Sequence, residues 1–265
     1  LRYGVCIPYR KVEEILRVLF GLSCVPALLV GFDRTAAKMG KAIYEDLREK
    51  IRASDVAHAD ETSWRNDGVN HFVWYAGNDN LAFFHIDRHR SADVAEAIFG
   101  KDFGGTLVRD RYAAYNGIGG QDWQSCLAHI SSKAKEIRQE HALLPDIAKD
   151  KNTDSFLNSV RDFCSRACES GQKLKSGEIH WDAAADMEKH LVRELGKICK
   201  RPLGFKPAET LRTYLIGPEQ KNLFTFLRYP GVPPTNNQAE QSLRNMVIFR
   251  KICFGTRSES GLKTH

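Results

Sequence analysis

The sequence predicts an α/β fold: a mixed sheet, interrupted by a helical subdomain and preceded by helices. Three observations carry this. The hydrophobic period changes from helical to alternating at Asp55. Turn-forming residues then cut the chain into short segments rich in Val, Phe, Trp and Tyr. Almost a hundred residues of helical pattern follow before the chain returns to a last amphipathic stretch. At 42% hydrophobic and 27% charged, the 265 residues can bury a sizeable core, which excludes disordered, collagen-like and disulfide-scaffold classes.

Residues 1–54 read as an N-terminal helical segment. Val12, Ile15, Leu16, Leu19 and Phe20 recur at helical spacing up to Gly21, and a longer helix follows Pro26, its mixed charges forming a solvated face beside Ile43, Leu47 and Ile51. Residues 55–130 form the first part of the sheet. Val56 to Trp64, His71 to Ala76 and Leu81 to Asp87 make a three-stranded meander separated by Asn66-Asp67-Gly68 and Gly77-Asn78-Asp79-Asn80. A crossover helix, Ala92 to Phe99, stops at Gly100 and leads to a buried strand, Thr106 to Arg109; Trp123 to Leu127 makes a fifth. Residues 131–228 are the helical insertion, with breaks at Pro145, Ser170-Gly171, Ser176-Gly177, Pro202 and Pro207. Residues 229–265 return to the core through the rigid Tyr229 to Thr235 loop and a helix from Asn236 to Phe249, capped by Asn236 or Asn237.

The 39 Lys and Arg against 33 Asp and Glu give a net charge of +6, mildly basic and compatible with nucleic acid. The longest apolar stretch, Val25 to Phe32, falls far short of the ~20 residues that span a bilayer, so no membrane partner is expected. Seven scattered cysteines suit a reducing compartment, and a cytoplasmic location follows. The chain begins at Leu1 rather than Met, as a fragment does.

Three acidic residues close strands, where ligands of open α/β sheets gather: Asp60, Asp87 and Asp110. Carboxylates brought together there repel unless a divalent cation binds, and Mg²⁺ prefers a few carboxylates, waters and phosphates. On the last helix Glu240 and Arg244 are four apart and share a face, with Arg250-Lys251 just beyond. Read alone this is a surface ion pair; beside a metal site, the cations would hold a phosphodiester backbone.

The segments Ala59 to Trp64 (ADETSW), Gly105 to Tyr115 (GTLVRDRYAAY), Cys126 to His129 (CLAH) and Asn236 to Gly261 (NNQAEQSLRNMVIFRKICFGTRSESG) occur in the order and context of the insertion-sequence-66 family of transposases, and the start (IPYRKVEEILRVLFGLS) is similar to the helices that precede its catalytic domain. The resemblance covers nearly the whole chain. It implies a ribonuclease H-like mixed sheet and an Asp-Asp-Glu triad, falling on Asp60, Asp110 and Glu240 as catalytic and metal-binding residues, with Asp87 a bystander. The long gap from Asp110 to Glu240 then holds the helical insertion.

It further implies a DNA transposase, with Mg²⁺ as cofactor and Mn²⁺ as a substitute. Two ions about 4 Å apart would activate water or a DNA 3′-hydroxyl and stabilise the leaving 3′-oxygen. Insertion-sequence ends and target DNA are the implied partners, with self-association on DNA in a bacterial, nucleoid-associated setting. Arg244, Arg250, Lys251, His129 and Trp64 are the candidate DNA contacts. Glu61 should face away from Asp60 on its strand. Cys126 and His129 are half a zinc motif, which Cys164 and Cys168 would have to complete. The family's usual small residue after Asp110 is Arg111 here, and its basic stretch after the Cys-x-x-His element reads Ile130 to Lys133. A DNA-binding or assembly module that has lost activity and a ribonuclease H-like nuclease are the rival readings.

Overall fold

The computed structural model describes residues 1–118 and 122–265. Helices α1 (Tyr9–Phe20) and α2 (Pro26–Arg52) come first. Strands β1 (Val56–Asn66), β2 (Val69–Gly77) and β3 (Ala82–Asp87) make the expected antiparallel meander. Helix α3 (Ala92–Phe99) precedes β4 (Thr106–Arg109) and β5 (Trp123–Ser125), which pair in parallel. Helices α4 (Leu127–Ala142), α5 (Thr153–Ser176), α6 (Ala184–Ile198) and α7 (Lys206–Leu215) lead to α8 (Asn237–Cys253) and α9 (Glu259–Thr264). The result is a mixed α/β architecture whose five strands run in the order β3-β2-β1-β4-β5.

The chain falls into two compact units, one of Leu1–Gly105, Tyr112–Gly119 and Gln238–His265, the other of Thr106–Arg111 and Gly120–Asn237. In the first, β1 extends beyond the expected Trp64 because the turn is only two residues, Asp67 (φ 49°) and Gly68 (φ 79°), both left-handed as a tight hairpin requires. Asp60 therefore lies within β1 and not at its end. Alternation along the strands sorts side chains between two faces. Asp60, Thr62 and Trp64 share a face with their cross-strand partners Tyr75, Val73 and His71. On it Trp64, Val73 and Tyr75 pack with Ala239, Leu243 and Phe249 of α8. The other face carries Phe83 and His85, which meet Tyr44 of α2: the Tyr44 and Phe83 rings lie 4.7 Å apart, and the Tyr44 hydroxyl is 2.7 Å from His85 Nδ1.

The second unit is built on β4, β5 and helices α4 to α7. Ile130, Ala134 and Ile137 of α4 and Leu157, Val160 and Phe163 of α5 are buried. His141, also buried, ties the α4 end to the α5 start: its Nδ1 lies 3.1 Å from Asp154 Oδ1 and its Nε2 accepts the Asp150 N–H at 3.1 Å. Buried Gln124 donates to the Ser125 and Leu223 carbonyls and accepts from the Phe226 N–H, which leaves its amide group satisfied.

Three sequence expectations shift here. Strand β5 stops at Ser125, and α4 starts at Leu127. α8 runs on to Cys253. Ser170-Gly171 does not break α5, which continues to Ser176. Gly171 serves packing instead: a Cβ there would lie 3.0 Å from Pro234 Cγ and 3.2 Å from Phe226, so its absence lets the loop before α8 lie against the helix. Among the described residues no helix is long and apolar enough to cross a membrane.

Candidate active site

Asp60 is half-buried in β1, directly across from Tyr75 of β2, and its Oδ1 accepts the Glu61 N–H at 2.9 Å. Its side chain belongs to the sheet face on which α8 lies. Helix α8 reaches that face because Ala239, Leu243, Met246 and Phe249 recur at helical spacing and dock on Trp64, Val73 and Tyr75. The helix start is fixed by Gln238, whose side-chain amide donates to the Asn78 carbonyl at the end of β2. Tyr75, its hydroxyl hydrogen-bonded with Ser242 and Gln238, is a second tie; burial still holds its pKa above the ordinary value.

Glu240 stands in the first turn of α8 next to inward-facing Ala239, and is exposed. The helix N-terminus favours a carboxylate there. Glu240, Arg244 and Lys251, four and then seven residues apart, line one flank of the helix, with both cations exposed. Two of the three expected triad residues thus fall in the first unit, on or beside one face of β1 and β2.

Asp110 belongs to the second unit. It directly follows β4 and is half-buried. The C-terminal end of that strand is fixed: Arg109 is buried with its guanidinium 4.6 Å over the Trp123 ring and donates to the Asp110 carbonyl, while the Cys126 N–H donates to the Arg109 carbonyl at 3.0 Å. Arg111, where the family pattern has a small residue, turns outward, its guanidinium 4.7 Å over the Tyr214 ring.

Asp87 faces the other way by alternation. It pairs across from Phe72, on the opposite sheet face from Asp60, and its carboxylate accepts the His89 N–H at 2.6 Å. Glu61 also faces away from Asp60. Its side chain, 2% exposed, is held by Arg90 and by the Tyr115 hydroxyl at 2.5 Å. That network is legible only in part in the sequence: Tyr115 lies in the GTLVRDRYAAY segment, whereas nothing marks Arg90.

Two expected DNA contacts are engaged within the protein. Trp64 is fully buried, stacked 6.0 Å from Phe249 and donating through Nε1 to Thr256 Oγ1 at 3.3 Å; it is a core residue, because its strand position faces α8 and not solvent. Arg250 turns onto β1, where Nη1 donates to the Ser63 carbonyl and hydroxyl and to Thr62 Oγ1 at 3.4 Å, so it clamps the end of α8 to the strand.

His129 is half-buried on the first turn of α4, and one of its ring nitrogens lies within 4.8 Å of Cys126 Sγ. Cys126 Sγ accepts the Asn236 N–H at 3.1 Å, just ahead of α8. Among the described residues of this unit, neither Cys164 nor Cys168 joins that pair to make a group of three within 4.8 Å. Burial, reinforced by the neighbouring thiols, pushes the Cys164 thiol well up and the Cys168 thiol up to about 11. Cys164 is buried and Cys168 half-buried, as thiols packed into a core are.

No curated protein matches the chain. A model of the Transposase IS66 family matches residues 1–264, essentially its whole length. The chain therefore belongs to the Transposase IS66 family.

Proposed function

We propose that this chain is the catalytic part of a DNA transposase of ribonuclease H-like architecture, acting through Asp60, Asp110 and Glu240. The observation that carries the reading is the placement of Asp60 on the sheet face covered by α8, whose first turn bears Glu240, in a chain matched throughout by a transposase family. Asp110 directly follows β4. The insertion is the helical stretch 131–228, and residues 55–130 and 229–265 are the catalytic core.

The donor set fits a hard cation. Three oxygen-donating carboxylates suit Mg²⁺, with Mn²⁺ as a substitute, and the soft Cys126 thiol, held by the Asn236 N–H, is not needed for it. Bound there, the ions supply charge at the attacking and leaving oxygens of an in-line phosphodiester displacement. The residues themselves bind and orient. Asp60 is fixed by the strand and by the Glu61 N–H. Glu240 is fixed by the Ala239 and Leu243 anchors and by Gln238. Arg244 and Lys251, exposed on the same flank as Glu240, are placed to hold DNA phosphates, with His129 a further DNA contact. No Ser, Cys or His nucleophile is required.

Element-end DNA, target DNA and a second copy of the chain are the proposed partners. The test is a cleavage and joining reaction on labelled element-end duplex with Mg²⁺. Free 3′ ends followed by joined products are expected. Hydrolysis without joining would favour a ribonuclease H-like nuclease, and no cleavage by the folded full-length protein would favour an assembly module.

A further inference from the structure

Helix α2 has two apolar faces. One is used: half-buried Leu29, Tyr44 and Leu47 and fully buried Ile51 turn inward, and Tyr44 meets β3. The other is bare. Leu28, Phe32, Thr35, Ala36, Met39 and Ile43 recur every three or four residues along the exposed side, and no charge interrupts them. Phe32 is 60%, Met39 77% and Ile43 64% exposed. At the end of α1 and just beyond it Val18, Leu19, Phe20 and Leu22 are exposed as well.

Contiguous exposed apolar side chains of this kind mark interaction sites, whereas singly scattered ones do not.

The stripe reads nearly the same from both ends. Leu28 at one end matches Ile43 at the other, Phe32 matches Met39, and the small Thr35 and Ala36 share the centre. A two-fold interface needs this property, since residue i must meet j while j meets i. Small residues at the axis let two helix backbones approach where the bulky pairs flank them.

We propose that α2 is a homodimer seam, packing antiparallel on α2 of a second copy about an axis near Thr35 and Ala36, with Leu28 against Ile43 and Phe32 against Met39. The seam gives a location to the self-association proposed above, and its test reads mass and not cleavage. A monomer that cleaves DNA would overturn the seam and leave the triad standing; a dimer without cleavage would do the reverse.

The experiment is light scattering on the size-fractionated full chain at tens of micromolar. Twice the 30.0 kDa chain mass is expected for the wild type, and the chain mass for Phe32→Glu/Met39→Glu, which should keep its circular dichroism because both side chains are exposed. For direction, Thr35→Cys and Leu28→Cys are compared under oxidation in a Cys24→Ser background. Thr35→Cys should give the covalent dimer and Leu28→Cys should not. A monomeric wild type, a dimeric double variant, or crosslinking through Leu28→Cys in place of Thr35→Cys would each overturn the proposal.

Discussion

Asp60 and Glu61 are neighbours with opposite fates, because a strand sends successive side chains to opposite faces. Asp60→Asn, Asp110→Asn and Glu240→Gln should each lower Mg²⁺-dependent DNA cleavage by more than about 100-fold, beyond the 10- to 100-fold typical of a residue that only supports a ligand. Their unfolding curves should match the wild type, since none removes a core side chain; Asp87→Asn should leave cleavage unchanged. Glu61→Ala should do the opposite, lowering stability by about 2–3 kcal/mol in urea by stripping Arg90 and Tyr115 of a buried carboxylate. Glu209 provides a pH signature. The Arg212 guanidinium, reinforced by the Leu203 N–H, holds its carboxyl down at about 2. A depressed carboxyl stabilises the fold above its unfolded value of ~4.3 and loses that contribution as pH falls toward 2. Glu209→Gln should therefore be less stable than the wild type by about 1 kcal/mol at pH 7, and the two curves should meet near pH 2.

Elements decide which of these residues are brought near one another. Helix α8 is set on β1 and β2 by Leu243 and Phe249 inside and by Gln238 and Arg250 at its ends. Leu243→Ala should cost about 3 kcal/mol, the usual cost of a buried leucine truncation. Glycines in helices make a sharper test. Gly196 of α6 has open space where a Cβ would stand, so Gly196→Ala should stabilise by about 0.5–1 kcal/mol, whereas Gly171→Ala should destabilise by about 1–2 kcal/mol through Pro234 and Phe226 despite its better helix propensity; paired thermal melts check both signs. The same contrast explains what the sequence reveals. The change of period at Asp55, α3, β4 and the return helix are legible because each is a local pattern. Ser170-Gly171 misleads, since what the glycine accommodates lies some sixty residues away. Trp64 misleads for the same reason: its position in the ADETSW segment says which face it is on, but only α8 says that the face is covered. The Arg90–Glu61–Tyr115 network joins three segments with no common motif.

The whole molecule is a transposase-family chain in which the acidic residues of three distant segments are proposed to meet as one metal site. Side-chain direction on β1, the docking of α8 and the family match support that reading, and Fe²⁺-directed backbone cleavage tests it. Fe²⁺ in place of Mg²⁺ on the DNA-bound full-length protein, with ascorbate and peroxide, cuts the chain only near the bound ion. Breaks beside Asp60, Asp110 and Glu240, all suppressed by excess Mg²⁺ and by Asp60→Asn, are the predicted result. Cuts confined to one of these segments, or cuts at Asp87 in their place, would contradict it.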